Sequence, residues 1–134
     1  MKSLSIWLAL LAAPILSISA SAHHSHAMFD TSKRIAISGT VMKFEFTNPH
    51  SWLKVVNEAD GELWSFETGA PSQLLRKGVK LSTFPPGMKV TVRAFPLRDG
   101  RAGGEAVNVT LADGSVVSIE PEGYNPTATP GAAP

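Results

Sequence analysis

Apolar and polar residues alternate through most of the chain between residues 35 and 119, with the period of two that is typical of half-buried β-strands. Turn signals built on Gly, Pro and Asp separate these stretches. The pattern indicates a mainly β fold. It predicts six strands, at residues 35–47, 50–57, 62–68, 88–96, 105–111 and 115–119.

The first predicted strand changes phase near its middle. Ile35 and Val41 share one parity, whereas Met42 and Phe44 share the other. Because successive side chains of a strand point to opposite faces, this change predicts a β-bulge or a sharp bend. A long, bent first strand is typical of a small closed barrel, in which one strand takes part in both sheets.

Residues 71–77 follow the rules of a short helix. Pro71 lies in the predicted first turn and Gly78 follows the predicted end, while Leu74 and Leu75 would face the core. Three strands, a short helix and two or three further strands are the order of an OB-like Greek-key barrel. A small β-sandwich is the alternative.

The first 22 residues do not fit the β pattern. Lys2 supplies a positive charge, residues 6–18 are almost entirely apolar, and a small-x-small sequence ends at Ala22. The apolar run is shorter than the about 20 residues of a membrane-spanning helix. We interpret residues 1–22 as the cleaved signal peptide of a bacterial periplasmic or secreted protein; an uncleaved membrane anchor is the alternative.

Cleavage after residue 22 would leave 112 of the 134 residues, enough for one domain. We divide them into a His-rich leader at 23–34, a β domain at 35–119 and a disordered Pro/Ala-rich tail at 120–134. One of the 12 basic residues lies in the signal, so 11 basic residues balance 11 acidic ones in the mature chain. This balance argues against nucleic-acid binding, and the lack of Cys excludes thiolate metal sites.

Three of the four histidines, His23, His24 and His26, directly follow the predicted cleavage site. After cleavage, the α-amine and imidazole of His23 can chelate one metal ion. His24 offers a second mode through the amine, the intervening amide nitrogen and its own imidazole, and His26 can add a ligand. Nitrogen-rich sites of this kind favour Cu(II). The alternative is a flexible polar terminus that binds metal only adventitiously.

The fourth histidine, His50, follows Asn48-Pro49 and opens the second predicted strand. It can act as a distal ligand for a metal held by His23, or it can simply cap the turn. The spacing alone does not choose between these two interpretations.

Three glutamates in the predicted strands are candidates for acid–base chemistry: Glu45, Glu62 and Glu67. A solvent-exposed strand face is the simpler explanation of their positions. No GxSxG, HExxH or Walker A sequence is present. Trp52 shares its face with Lys54, which favours a partly exposed indole that a partner can contact.

Several stretches together resemble a bacterial family of small exported proteins of unknown function. They span about residues 22–119 and read AHHSHAMFD, SGTVMKFEFTNPHSWL, WSFETGAPSQLLRKG, PPGMKVTVRAFPLRDG and GEAVNVTLADG. An early His-His-Ser paired with a later Asn-Pro-His carries the resemblance, and His23, His24 and His50 match it. An aromatic residue is more usual at the position of His26, which implies that His26 is not an essential ligand. The resemblance implies export and an OB-like domain, but no particular activity.

These observations favour an exported, non-enzymatic OB-like binding module, with copper as the best specific candidate for its ligand. The alternative is a periplasmic accessory protein that binds a protein partner and in which the histidines are incidental. An enzyme is disfavoured because the sequence identifies no pocket of perturbed titratable groups.

The first prediction concerns processing. We expect signal-peptide cleavage between Ala22 and His23, because the small-x-small sequence ends there. Intact-mass measurement of the exported protein should show a chain that begins at His23. A mature chain that begins after Ala27, or that retains residues 1–22, would contradict both the processing site and the terminal chelate.

Overall fold

All six predicted strands are present in the structure, a computed structural model that describes residues 26–121. The strands are β1 (Ile35–Glu45), β2 (Trp52–Asn57), β3 (Leu63–Glu67), β4 (Lys89–Pro96), β5 (Gly103–Leu111) and β6 (Val116–Ser118). One short helix, α1 (Pro71–Arg76), lies between β3 and β4. Single 3-10 turns lie at His26–Met28 and Leu81–Thr83.

The strands are hydrogen-bonded in the order β3-β2-β1-β4-β5-β6, and a further pairing of β3 with β5 closes the first five into a barrel. The closing pair is parallel, whereas all the other pairs are antiparallel. This connectivity, with the helix between the third and fourth strands, is that of an OB-like Greek-key barrel. The predicted fold is therefore confirmed, and the sandwich alternative is wrong.

The phase change in β1 is a bulge at Met42. The register between β1 and β2 shifts between Val41 and Lys43. Val41 and Phe44 are buried, but Met42 is 50% exposed. The alternation placed Met42 on the same face as Phe44, which is wrong, because Met42 is the extra residue of the bulge. The bend lets β1 pair with both β2 and β4.

Apolar side chains from every barrel strand fill the interior, and most of them are branched or aromatic. They are Val41, Phe44, Leu53, Val55, Phe66, Val90, Val92, Ala94, Ala106 and Val109. Helix α1 adds Leu74, which is fully buried, whereas Leu75 is 55% exposed. The expectation that both leucines face the core is therefore correct only for Leu74. Adjacent residues on a helix face different directions, and a helix of six residues presents one narrow face to the core.

Strand β5 begins at Gly103, two residues earlier than predicted, because Gly103 and Gly104 take part in the parallel pairing with β3. A Cβ atom on Gly104 would lie 2.3 Å from the carbonyl oxygen of Phe95. One on Gly103 would lie 2.8 Å from the carbonyl oxygen of Ser65. The two glycines that looked like a loop therefore permit the close approach of strands that closes the barrel.

The two ends of the chain are described only in part. The predicted signal peptide and residues 122–134 of the predicted tail lie outside the described residues. Glu120, the first residue of that tail, is held in place: its carboxylate lies 3.3 Å from Lys77 Nζ, which also donates a hydrogen bond to its carbonyl oxygen. Within residues 26–121, no helix is long and apolar enough to cross a membrane.

The second prediction concerns Gly39 in β1. A Cβ atom there would lie 2.1 Å from the carbonyl oxygen of Val56, so Gly39→Ala must push β1 and β2 apart. We expect the free energy of unfolding to fall by about 1–3 kcal/mol. The melting temperature should fall by roughly 4–8 °C per kcal/mol, measured by circular dichroism. Met42→Ala at the exposed bulge serves as control and should cost less than about 0.5 kcal/mol. A Gly39→Ala variant as stable as the wild type would contradict this crowding.

Candidate functional site

His50 lies in the turn that leads from β1 into β2. Thr47 Oγ1 donates a hydrogen bond of 2.6 Å to the carbonyl oxygen of His50. The next residue, Ser51, is joined to the segment after β3, since its amide donates to Gly69 and its carbonyl accepts from Thr68. The turn is therefore anchored on both sides, and His50 has a defined position beside the end of β3.

The imidazole of His50 faces Glu67, the last residue of β3. Its Nδ1 lies 3.2 Å from Oε1 of Glu67, and both atoms are buried, but the contact does not have the geometry of a hydrogen bond. The Glu67 side chain is 6% exposed and that of His50 is 27% exposed. A proton on Nδ1 would face this carboxylate and leave the lone pair of the neutral imidazole on Nε2. Carboxylate–imidazole pairs of this kind orient the histidine ligands of metal ions.

Glu67 belongs to a row of side chains that crosses the outer face of the barrel. Trp52 pairs with Glu67 between β2 and β3, and Glu67 pairs with Glu105 between β3 and β5. Glu105 in turn pairs with Phe95 on β4. Residues paired in register lie on the same side of a sheet, and their neighbours along each strand line the core. We call the surface formed by His50 and this row the His50 face.

The two glutamates of the His50 face are buried, although they lie on the outside of the barrel. Glu67 is 4% exposed and Glu105 is 2% exposed. A buried carboxylate is stable only where a cation, a proton or hydrogen-bond donors compensate its charge. Both glutamates have interaction partners within the protein.

The described part of the leader is anchored beside the His50 face. Phe29 is 2% exposed and forms a β-bridge with Leu97. Arg98 holds the preceding residues: its amide donates to the Met28 carbonyl at 2.9 Å, and its Nε donates to the Ala27 carbonyl at 3.1 Å. Burial of a Phe side chain contributes about 1.5–3 kcal/mol, which accounts for the anchoring.

A cavity of about 320 Å³ lies between the leader and the barrel. Met28 and Phe29 line it from the leader, and Trp52 lines it from β2. Trp52 is 36% exposed, which confirms the expectation of a partly exposed indole. Because His50 is only two residues from Trp52, the cavity brings the leader to the part of the surface that carries His50.

Of the four predicted metal ligands, only His50 has a described side chain. His23 and His24 lie outside the described residues. The backbone of His26 begins a 3-10 turn, but its side chain also lies outside the description. Among the side chains of the described part, no three from His, Cys, Asp and Glu are close enough to hold a metal ion. The roles of His23, His24 and His26 therefore stay predictions.

The three carboxylates selected from the sequence have different surroundings. Glu45 lies 2.6 Å from Lys43 Nζ and 2.9 Å from Lys54 Nζ, and hydrogen bonds from these two amines lower its pKa to about 2. It is therefore ionised near neutral pH. Glu62 is exposed in the turn before β3. Of the three, Glu67 is the one that is buried beside a histidine.

Glu105 is the residue of the His50 face that sequence reasoning missed. It follows two glycines that the pattern assigned to a loop, so it stood at the edge of a predicted strand. Only the parallel pairing of β3 with β5 brings it beside Glu67. The predicted barrel could have indicated that Glu105 lies near Glu67, because closure of such a barrel requires the third and fifth strands to pair.

Comparisons with known proteins found no matching curated protein and no matching solved structure. A profile described as a family of unknown function, DUF6152, matches residues 11–106. The matched range includes the leader, the His50 turn and the start of β5. It confirms the resemblance to an uncharacterised family. Because the match covers most of the chain, the protein belongs to the DUF6152 family, whose function is unknown.

Proposed function

We propose that this protein is an exported, non-enzymatic OB-like module that binds one copper ion through its processed N-terminal histidines and His50. The observation that carries the proposal is the His50–Glu67 pair beside an anchored leader. Its separation of 3.2 Å directs His50 Nδ1 to the carboxylate and leaves Nε2 for a ligand. A histidine that only capped the turn would not need this buried partner.

The length of the leader permits such a site. Met28 and Trp52 line the same cavity, and the Cα atoms of His50 and Trp52 are at most about 7 Å apart. Met28 lies five positions after His23, and the chain between their Cα atoms spans up to about 17 Å when extended. The His23 amine and imidazole can therefore reach the His50 face once the signal peptide is removed.

The ligand set proposed for the metal consists of nitrogen donors. The α-amine and imidazole of His23 form a chelate, or the amine, an amide nitrogen and the imidazole of His24 form one. His50 Nε2 completes either arrangement from the barrel. Sites rich in nitrogen donors bind Cu(II) most tightly among the first-row divalent ions. His26 is an additional donor, and the proposal does not require it.

The third prediction tests the terminal chelate. Mature protein with its native N-terminus should bind one Cu(II), and acetylation of the α-amine of His23 should weaken binding by at least about tenfold, because either chelate loses its amine donor. Affinities should be measured against a competing chelator. Binding should also weaken as the pH falls through roughly 6, because protons compete for the imidazole lone pairs. Equal affinities of the native and acetylated chains would remove the terminal chelate.

The fourth prediction tests the barrel side of the site. His50→Ala should weaken Cu(II) binding by removing a ligand. Glu67→Gln should weaken it by about 10–100-fold, the usual effect of losing an outer-shell partner of a ligating histidine. Glu62→Gln is the matched control, since this glutamate is exposed in the preceding turn, and it should bind as the wild type does.

Thermal unfolding of the copper-free variants separates an effect on the site from an effect on the fold. If Glu67→Gln and Glu62→Gln bind copper equally well, the outer-shell role of Glu67 is wrong. If His50→Ala also leaves the affinity unchanged, the barrel does not contribute to the site.

A partner-binding accessory role is the second candidate, and one observation favours it. Val56 and Leu63 pair across β2 and β3 on the outer face, and each is more than a third exposed. The same two strands carry Trp52, and this face of OB-folds is a common binding surface. If protein with its native N-terminus shows no specific copper binding, the partner-binding accessory role becomes the favoured function.

A further inference from the structure

A second cavity, of about 510 Å³, opens on the outer face of the barrel across β1, β4, β5 and β6. One register row crosses it. Ala36 on β1 pairs with Arg93 on β4. Arg93 in turn pairs with Asn108, and Asn108 pairs with Ser118. No residue that lines this cavity belongs to the His50 face. Its volume lies within the range of small-molecule sites, about 300–1,000 Å³.

Two guanidinium groups line this cavity. Arg34 stacks on Phe95, with its Cζ 3.7 Å from the ring centroid, and donates a hydrogen bond of 3.4 Å to the Thr31 carbonyl. Its position is therefore restricted. Arg93 is exposed, and within residues 26–121 its side chain forms no salt bridge. A guanidinium in this situation can pair with a carboxylate through two parallel hydrogen bonds.

Asn108 adds a polar group between the two edges of the cavity. Its Oδ1 is buried and accepts no hydrogen bond from the described part of the chain. Because this atom is shielded from solvent in the unliganded protein, the Asn108 amide must rotate toward the cavity before a ligand O–H or N–H can reach it, and the hydrogen bond gained would be favourable for a buried acceptor. The cavity therefore offers both positive charge and an acceptor.

The acidic side chain at this cavity, Glu120, is already paired with other residues of the protein. Glu120 lies 3.3 Å from Lys77 Nζ and accepts a hydrogen bond from Ser118 Oγ. The arginines therefore determine the charge that a ligand meets. Ile35 and Val107 provide apolar walls. This combination suits an anion with an apolar body better than a small inorganic anion, which would leave the apolar walls uncovered.

We propose that this cavity binds a small organic carboxylate that carries an apolar ring or chain and a hydrogen-bond donor. The carboxylate pairs with Arg93, the apolar body packs between Ile35 and Val107, and the donor group reaches Asn108 Oδ1. This site is separate from the copper site, and it does not depend on the processed N-terminus.

The fifth prediction uses 4-hydroxybenzoate as the probe, because it combines a carboxylate, a ring and a hydroxyl. Titration of the mature protein, followed by amide chemical shifts, should show saturable binding with a Kd below about 1 mM. The shifts should be largest around Arg93 and Asn108. Arg93→Gln should weaken binding by about tenfold or more, because it removes a charge-assisted pair.

Two further variants separate the site from general charge and folding effects. Lys89→Gln makes the same change of charge on the same strand and face, but outside the cavity, and should leave the Kd unchanged. Ala36→Phe keeps the charge and fills the cavity from an exposed position, and should block binding. The proposal is overturned if the wild type shows no saturable binding up to about 10 mM, well above the expected Kd. It is equally overturned if Arg93→Gln binds as tightly as Lys89→Gln.

Discussion

The parallel pairing of β3 with β5 is the contact on which the rest of the structure depends. Without it, the strands would form an open, twisted sheet that a chain of this size could not cover on both faces. The pairing involves three residue pairs, and Gly103 and Gly104 contribute to two of them. A side chain at either glycine would collide with a backbone carbonyl group, so barrel closure depends on this short stretch of sequence.

The same pairing determines the chemistry of the outer surface. It aligns Glu67 with Glu105, so that two buried carboxyl groups lie side by side on the outside of the barrel. Apolar residues of similar volume at buried positions are commonly as stabilising as charged ones, or more so. Stability alone therefore does not explain these two glutamates. The copper site proposed above would give Glu67 a further role, because it faces His50 Nδ1 at 3.2 Å.

Local patterns predicted those features that depend on residues close in the chain. The phase change before Phe44 revealed the bulge, and proline and glycine marked the ends of α1. Local patterns did not predict the features that depend on pairing between strands far apart in the chain. Gly103 looked like part of a loop because its partners lie on β3, and Glu105 had no visible neighbour for the same reason. Phe29 was an apolar residue among polar ones, and its burial depends on a loop almost 70 residues away.

For the candidate site, the sequence pointed to the turn that carries His50, but not to the contact between His50 and the buried Glu67. His50 stood out because histidines are few, whereas the value of Glu67 lies in a contact across two strands that no local pattern shows. The histidines of the leader stood out by their position after a cleavage sequence. Their geometry would depend on a chain end that the predicted processing creates, so no periodicity along the strands can predict it.

The burial of Phe29 has a consequence for affinity. His23 lies six positions before Phe29, so in a chain cleaved after Ala22 the new N-terminus would stay close to the barrel surface. Groups joined by a short tether meet each other at an effective concentration on the order of millimolar. In the proposed copper site, ligands on the leader and on the barrel would therefore act as one multidentate donor, and a metal ion held by one part would be captured by the other without a second encounter from solution. Weakening the Phe29 anchor would lower this effective concentration, and with it the apparent affinity, while every donor atom stayed in place.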